Sequence, residues 1–148
     1  MDFITSLPKS EGKSVIMVVV DRLTKYAHFF SLSHPFKSST IATTFMEIVQ
    51  NLHGNLNIIV SDKDLIFIGI FCMKLFSCLG TQLAHNSSYH PQYDGKIEIV
   101  NKCSEEYICC FVFDKQTQWI KWLPITEWWY NTSFDTASKM TPLMALYG

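Results

Sequence analysis

The sequence predicts an α/β fold, a mixed central sheet flanked by helices, and three observations carry that expectation. The run VIMVVV at 15–20 is too short for a helix and rich in β-branched residues, so it reads as a buried strand. Stretches of helical period follow it at 39–52, 71–79, 95–113 and 119–130. A short apolar run at 57–60 and a further strand at 81–84 fall between them, and strands alternating with helices imply a sheet covered by helices. The chain has 148 residues, 48% of them apolar and 17% charged, which suits one domain spanning 1–148 with a real core and argues against disorder.

Each element has a local cause. Pro, Ser and Gly cluster at 8–13 (PKSEGK) and predict a turn before the first strong strand. Residues 26–32 supply that strand's hairpin partner, and 33–39, with His34-Pro35, are loop chemistry. Ser39 or Thr40 is expected to cap a helix running to Leu52, with Ile41, Phe45, Ile48 and Val49 on its apolar side and Gly54 ending it. The strand at 57–60 runs into Ser61-Asp62-Lys63-Asp64, and Gly80 stops the helix at 71–79. Residues 85–95 are polar, contain Pro91 and Gly95, and read as a loop. The helix after it places Ile97, Val100, Tyr107, Ile108 and Phe111 at helical spacing. The helix at 119–130 has a large aromatic face, for which core packing is favoured over a dimer interface.

Composition excludes several classes. A net charge of −1 rules out a strongly basic nucleic-acid wrapper, though not a locally basic groove. The longest aliphatic run, 15–20, is far short of the ~20 residues that span a bilayer, so no membrane role is expected. No basic stretch followed by an apolar run opens the chain, so no secretory signal is expected either. Five cysteines, Cys72, Cys78, Cys103, Cys109 and Cys110, form no C-x-x-C pair. Their odd count points to a reducing compartment and away from a disulfide framework, and with the five histidines off zinc-finger spacing a structural zinc site is not expected. The sequons at Asn86 and Asn131 are read as chance matches.

Candidate chemistry begins with acids at strand ends. Asp21 follows VIMVVV and Asp62 follows the 57–60 strand, where ligands gather in α/β sheets. From position alone, capping a strand or pairing with Arg22 or Lys63 is the favoured reading of each. Glu98 lies in the first turn of the 95–113 helix with Lys102 at i+4 and Glu105 at i+7. A surface Glu–Lys pair there contributes about 0.3 kcal/mol and needs no function.

The wider context shifts that balance. Tyr89-His90-Pro91-Gln92-Tyr93-Asp94-Gly95-Lys96-Ile97-Glu98-Ile99-Val100-Asn101 closely resembles the YHPQ-x-DG-x-x-E-x-x-N signature of gypsy-type retrotransposon integrases, members of the retroviral integrase superfamily. Thirty-five residues, 63 to 97, separate Asp62 from Glu98, as in that family's D-D-35-E pattern. Asp21 to Phe29 is similar to the VDRLTKxAHF block, and Ser61-Asp62-Lys63-Asp64 with Phe67 to the SDRDxxF block. Trp128-Trp129-Tyr130-Asn131-Thr132, Thr141-Pro142 and Leu146-Tyr147-Gly148 are similar to the closing WYN and TPxxALYG blocks. The resemblance spans essentially the whole chain.

The resemblance implies an RNase H-like fold whose first strand, MDFI, is truncated at Met1. It implies a catalytic, metal-holding triad of Asp2, Asp62 and Glu98, with Asp21 in a supporting place on the neighbouring strand. It implies Mg²⁺ or Mn²⁺ in a two-metal site, DNA contacts from Tyr89, Gln92, Asn101 and Lys102, and DNA (element ends and target) as the partner of a homo-oligomer. The implied reaction is DNA integration by a polynucleotidyl transferase, in the nucleus after passage through cytoplasmic particles. The family's N-terminal zinc module and C-terminal module are expected to be absent. The chain departs from the pattern at Leu65 for Pro, Cys72 for Trp, Lys96-Ile97 for Gln-Thr, Asp135 for His and Leu143-Met144 for Phe-Glu. Two alternatives follow: a catalytically silent remnant that only binds nucleic acid or self-associates, and an RNase H-type nuclease, against which the YHPQ block argues.

Overall fold

The computed structural model describes residues 2–5, 7–53, 70, 74, 106 and 116–148. Two compact units make up the chain, Met1–His34 with Gln92–Gly148, and Pro35–Pro91.

The first unit is built on a three-stranded antiparallel sheet, β1 (Asp2–Ile4), β2 (Val15–Val20) and β3 (Ala27–Leu32), in that order. Asp2 lies opposite Val18 and Ile4 opposite Ile16, while β2 pairs with β3 from Val15–Leu32 to Val20–Ala27. The turn expected at 8–13 forms. Ser10 and Lys13 exchange backbone hydrogen bonds of 2.9 and 2.8 Å around Glu11 (φ 49°) and Gly12 (φ 80°). Two successive left-handed residues match the right-handed twist of a two-residue hairpin, and glycine takes the second without steric cost.

Both faces of β2 are buried, as a continuous apolar run requires. Over one face lies α3 (Trp119–Thr132), entered through a 3₁₀ turn at Gln116–Gln118. Trp119 and Leu123 pack with Ile4, Ile16, Val18, Ala27 and Phe29, and partly buried Leu7, Val20, Ile120, Trp122 and Tyr130 complete the core. Trp119 is fully buried, and its indole N–H donates to the Pro8 carbonyl at 2.7 Å. The largest core side chain thus satisfies its one polar group while tying the 8–13 turn to the helix. Pro124 sits inside α3 and removes one ladder donor. The aromatic face expected at 119–130 divides. Trp119 is core, whereas Trp128 is 66% exposed and Trp129 also reaches solvent.

The chain closes on α4 (Pro142–Tyr147). Thr141 is its N-cap, accepting the Met144 N–H at 3.1 Å, and Pro142 fills the first helical position, where no N–H is needed. The Thr-Pro pair of the closing block is therefore a helix start signal.

In the second unit the helix expected at 39–52 is present but interrupted. It runs as α1 (Ser38–Phe45), a π-helical segment Met46–Gln50, and a last α-turn, α2 (Asn51–His53). Lys37 takes the N-cap position without a side-chain bond, so the expected capping by Ser39 or Thr40 is corrected. Ile41, Ala42 and Phe45 are buried, but Ile48 is only half-buried. The wider π-turn advances the helix face beyond 3.6 residues per turn, so a strict α-helical period overestimates burial past Phe45. Lys74 and Glu106 have helical backbone, in the stretches read as helices at 71–79 and 95–113. The remainder of those helices, the strands at 57–60 and 81–84 and the loop at 85–95 lie outside the described residues. Among the described residues no helix is long and apolar enough to cross a membrane.

Candidate active site

The structure positions Asp2 through its backbone, at the start of β1 and in register with Val18. Asp62, Glu98, Tyr89, Gln92, Asn101 and Lys102 lie outside the described residues. Among the described residues no three His, Cys, Asp or Glu side chains gather as metal ligands would.

The described acids show what a carboxylate does here when it serves structure. Asp21 follows β2 directly and is drawn into its own turn. Its Oδ2 accepts the Thr24 N–H at 3.1 Å and the Thr24 hydroxyl at 2.6 Å. The Thr24 hydroxyl oxygen in turn accepts the Tyr26 N–H at 3.2 Å. The turn closes with Asp21 N–H donating to the Tyr26 carbonyl at 2.8 Å and the Lys25 N–H to the Asp21 carbonyl at 3.0 Å. Lys25 adopts φ 64° within it. Asp21 thus has the cap role that its position favoured.

Asp135 behaves alike in the α3–α4 connection. Its carboxylate accepts the Ser138 N–H at 2.9 Å. Hydrogen bonding to Ser138, with lesser help from Ala137 and the charge of Lys25, outweighs desolvation and holds this carboxyl below the usual range. The acid standing where the integrase pattern has His is a turn-former in this chain.

Glu127 was not singled out by its sequence. Its Oε1 lies 3.3 Å from Nδ1 of buried His28, and its Oε2 accepts the Phe29 N–H at 3.0 Å. Four residues on, the Asn131 carboxamide accepts the Ala27 N–H and donates to the Ala27 carbonyl, both at 2.8 Å. Trp119, Leu123, Glu127 and Asn131 recur every four residues, one stripe that is apolar at one end and polar at the other. That spacing was the available signal. Asn131, the sequon asparagine, is only 2% exposed and has both halves of its amide engaged. Beside this pair, Tyr26 stacks at a tilt on His28 (5.0 Å between centroids) and meets Tyr147 edge-on at 6.2 Å. Burial first, then the negative charge of Glu127 and the Tyr147 phenol, raise the Tyr26 hydroxyl above its ordinary value.

Solved structures with this architecture decide the fold. One is a chain of the simian T-cell lymphotropic virus intasome in complex with PP2A regulatory subunit B56 gamma: TM-score 0.75, 15% identity, 99% of this chain and 53% of that one. A second is the HTLV-2 integrase catalytic core domain in complex with magnesium, in a trimeric form: TM-score 0.69, 13% identity, 98% and 93% of the two chains. The fold is that of a retroviral integrase catalytic core. RNase H-like architecture, expected from the resemblance, is thereby shown. Among curated proteins, the Tf2-3 and Tf2-4 transposon polyproteins of Schizosaccharomyces pombe are each 30% identical over 142 residues, 96% of this chain. The chain spans 11% of the length of these relatives. No family model matches the chain. A chain with this fold is thus similar in sequence to transposon polyproteins, in keeping with the resemblance to retrotransposon integrases.

Proposed function

We propose that this chain is the catalytic core of a DNA-integration enzyme, a metal-dependent polynucleotidyl transferase carried within a longer polyprotein. The observation that supports this most is the integrase-core fold at TM-score 0.75 over 99% of the chain. Asp2, Asp62 and Glu98 are the carboxylates the integrase pattern assigns to the site. As a donor set they fit Mg²⁺ or Mn²⁺, because hard cations prefer oxygen ligands and take few of them when substrate phosphate and water complete the shell. The HTLV-2 core, to which the fold is similar, is a magnesium complex. Asp2, Asp62 and Glu98 would together hold such ions, whose chemistry when bound is to activate the attacking oxygen and stabilise the leaving one.

Two reactions share the site. Water attacks a phosphodiester near the end of the element DNA and releases a 3′-hydroxyl. That hydroxyl then attacks a target phosphodiester, joining element to target and freeing a target 3′-hydroxyl. Tyr89 stacks on a base or meets a phosphate, Gln92 and Asn101 hydrogen-bond to DNA, and Lys102 neutralises a phosphate. The intasome and trimeric states of the similar structures support a homo-oligomer. Residues 1–148 act as one core domain, and the work is nuclear.

The substitutions at Leu65, Cys72 and Lys96-Ile97 favour one competing reading, a silent core that binds nucleic acid or self-associates. Labelled element-end DNA incubated with the purified chain and Mn²⁺ or Mg²⁺ separates the two. The transferase reading expects nicked and joined products that Asp62→Asn abolishes. Products equal to those of Asp62→Asn, with DNA still bound, would establish the silent core.

A further inference from the structure

The far edge of β3 is occupied in an unusual way. Tyr26 and Leu32 carbonyls accept hydrogen bonds from Asp21 and Ser14, so the even-numbered residues of β3 face β2. The odd-numbered Ala27, Phe29 and Ser31 turn their backbone groups away from it. Among the described residues no strand pairs with β3 on that side. Side chains meet those groups instead. Asn131 takes both the N–H and the carbonyl of Ala27, as a neighbouring strand residue would, at 2.8 Å each. The Glu127 carboxylate takes the Phe29 N–H at 3.0 Å, steered by His28 on its other oxygen. The Lys13 ammonium donates to the Ser31 carbonyl at 3.1 Å.

An open edge displays a row of donors and acceptors that another chain's strand can complete. The β3 sequence AHFFSL is mostly apolar and contains no Asp, Glu, Lys or Arg, the composition that pairs most readily with itself. We propose that Asn131 and Glu127, with Lys13 at the far end, take up the backbone groups that a neighbouring strand would use and exclude from β3 the β-strand of a second copy of this chain. The inference is independent of the catalytic reading. It assigns a physical task to the asparagine of the WYN block, and it places any functional self-association on a surface other than this edge.

The test uses the whole chain. Asn131→Ala frees both groups of Ala27, Glu127→Ala frees the Phe29 N–H, and Glu127→Gln retains an acceptor. The probe is a fluorescent peptide of residues 27–32 flanked by lysines, read by anisotropy. Infrared spectra report intermolecular β-structure, and amide hydrogen exchange is resolved at Ala27 and Phe29. Wild type and Glu127→Gln should bind no peptide. Asn131→Ala with Glu127→Ala should bind it and form concentration-dependent intermolecular β-structure, with exchange at both amides faster by about tenfold or more. A double variant that stays folded, binds no peptide and forms no such structure overturns the proposal. If the double variant does not fold, Glu127→Ala alone decides: faster Phe29 exchange with peptide capture supports the guard, and faster exchange without capture refutes it.

Discussion

Asp2 and Asp21 sit only a strand apart, yet the structure treats the two regions differently. Asp21 directly follows β2 and would be the first acid chosen by eye, but the Thr24 hydroxyl and amide occupy its carboxylate. Asp2 belongs to a three-residue strand and is held in the ladder by pairing with β2. The turn that captures the Asp21 carboxylate says more about its role than the prominence of its strand does. Glu127 and Asp135 repeat the lesson, since each is spent on backbone N–H groups.

The contrast can be broken most decisively by activity. Asp2→Asn, Asp62→Asn and Glu98→Gln should each reduce DNA nicking and joining to the level of a protein-free control. Asp21→Asn, changed outside the site, should stay within about threefold of wild type. Equal losses for Asp2→Asn and Asp21→Asn would erase the distinction.

Next in size is the anchor that holds the sheet beneath α3. Trp119→Ala empties a fully buried site and orphans the Pro8 carbonyl. It should lower unfolding free energy by about 3–5 kcal/mol in urea titrations. The turn acid has a smaller effect. Asp21→Ala should cost about 1 kcal/mol by the same measurement, the scale of a lost side-chain cap. A loss as large as that of Trp119→Ala would mean Asp21 supports more than its turn.

The smallest effect is alkaline. The Tyr26 hydroxyl ionises above its ordinary 10.0 in the folded chain, because burial and Glu127 oppose the phenolate. The unfolded chain therefore loses this proton first. Stability that is complete below the ordinary value is lost as pH rises through the folded one. Tyr26→Phe should flatten that decline in thermal melts above about pH 10. An unchanged decline would show that Tyr26 is not its source.

Much of the sheet was readable because β2 and β3 are runs with few competing interpretations, and the turn at Glu11-Gly12 carries its own chemistry. The helix at 119–132 was readable for the same reason, although its periodicity did not say that Trp128 would face solvent. The π-segment at Met46–Gln50 was not readable, since Ile48 and Val49 fit an α-helical period that the backbone does not keep. The Glu127–Asn131 clasp was half-visible in the four-residue stripe, but its partners on β3 lie about a hundred residues away in sequence and no local pattern names them. For the candidate site, local physics alone favoured structural roles for Asp21, Asp62 and Glu98, and nothing in MDFI marks Asp2 as special. Only the block resemblance joined Asp2, Asp62 and Glu98, because a site assembled from distant segments leaves no periodicity.

The central claim is that these three carboxylates share divalent ions. Titration of Mn²⁺ followed by electron paramagnetic resonance tests it directly, on wild type and on Asp2→Asn, Asp62→Asn, Glu98→Gln and Asp21→Asn. The first three variants should each weaken Mn²⁺ binding while Asp21→Asn matches wild type. Undiminished binding in the first three, or a loss confined to Asp21→Asn, would contradict it.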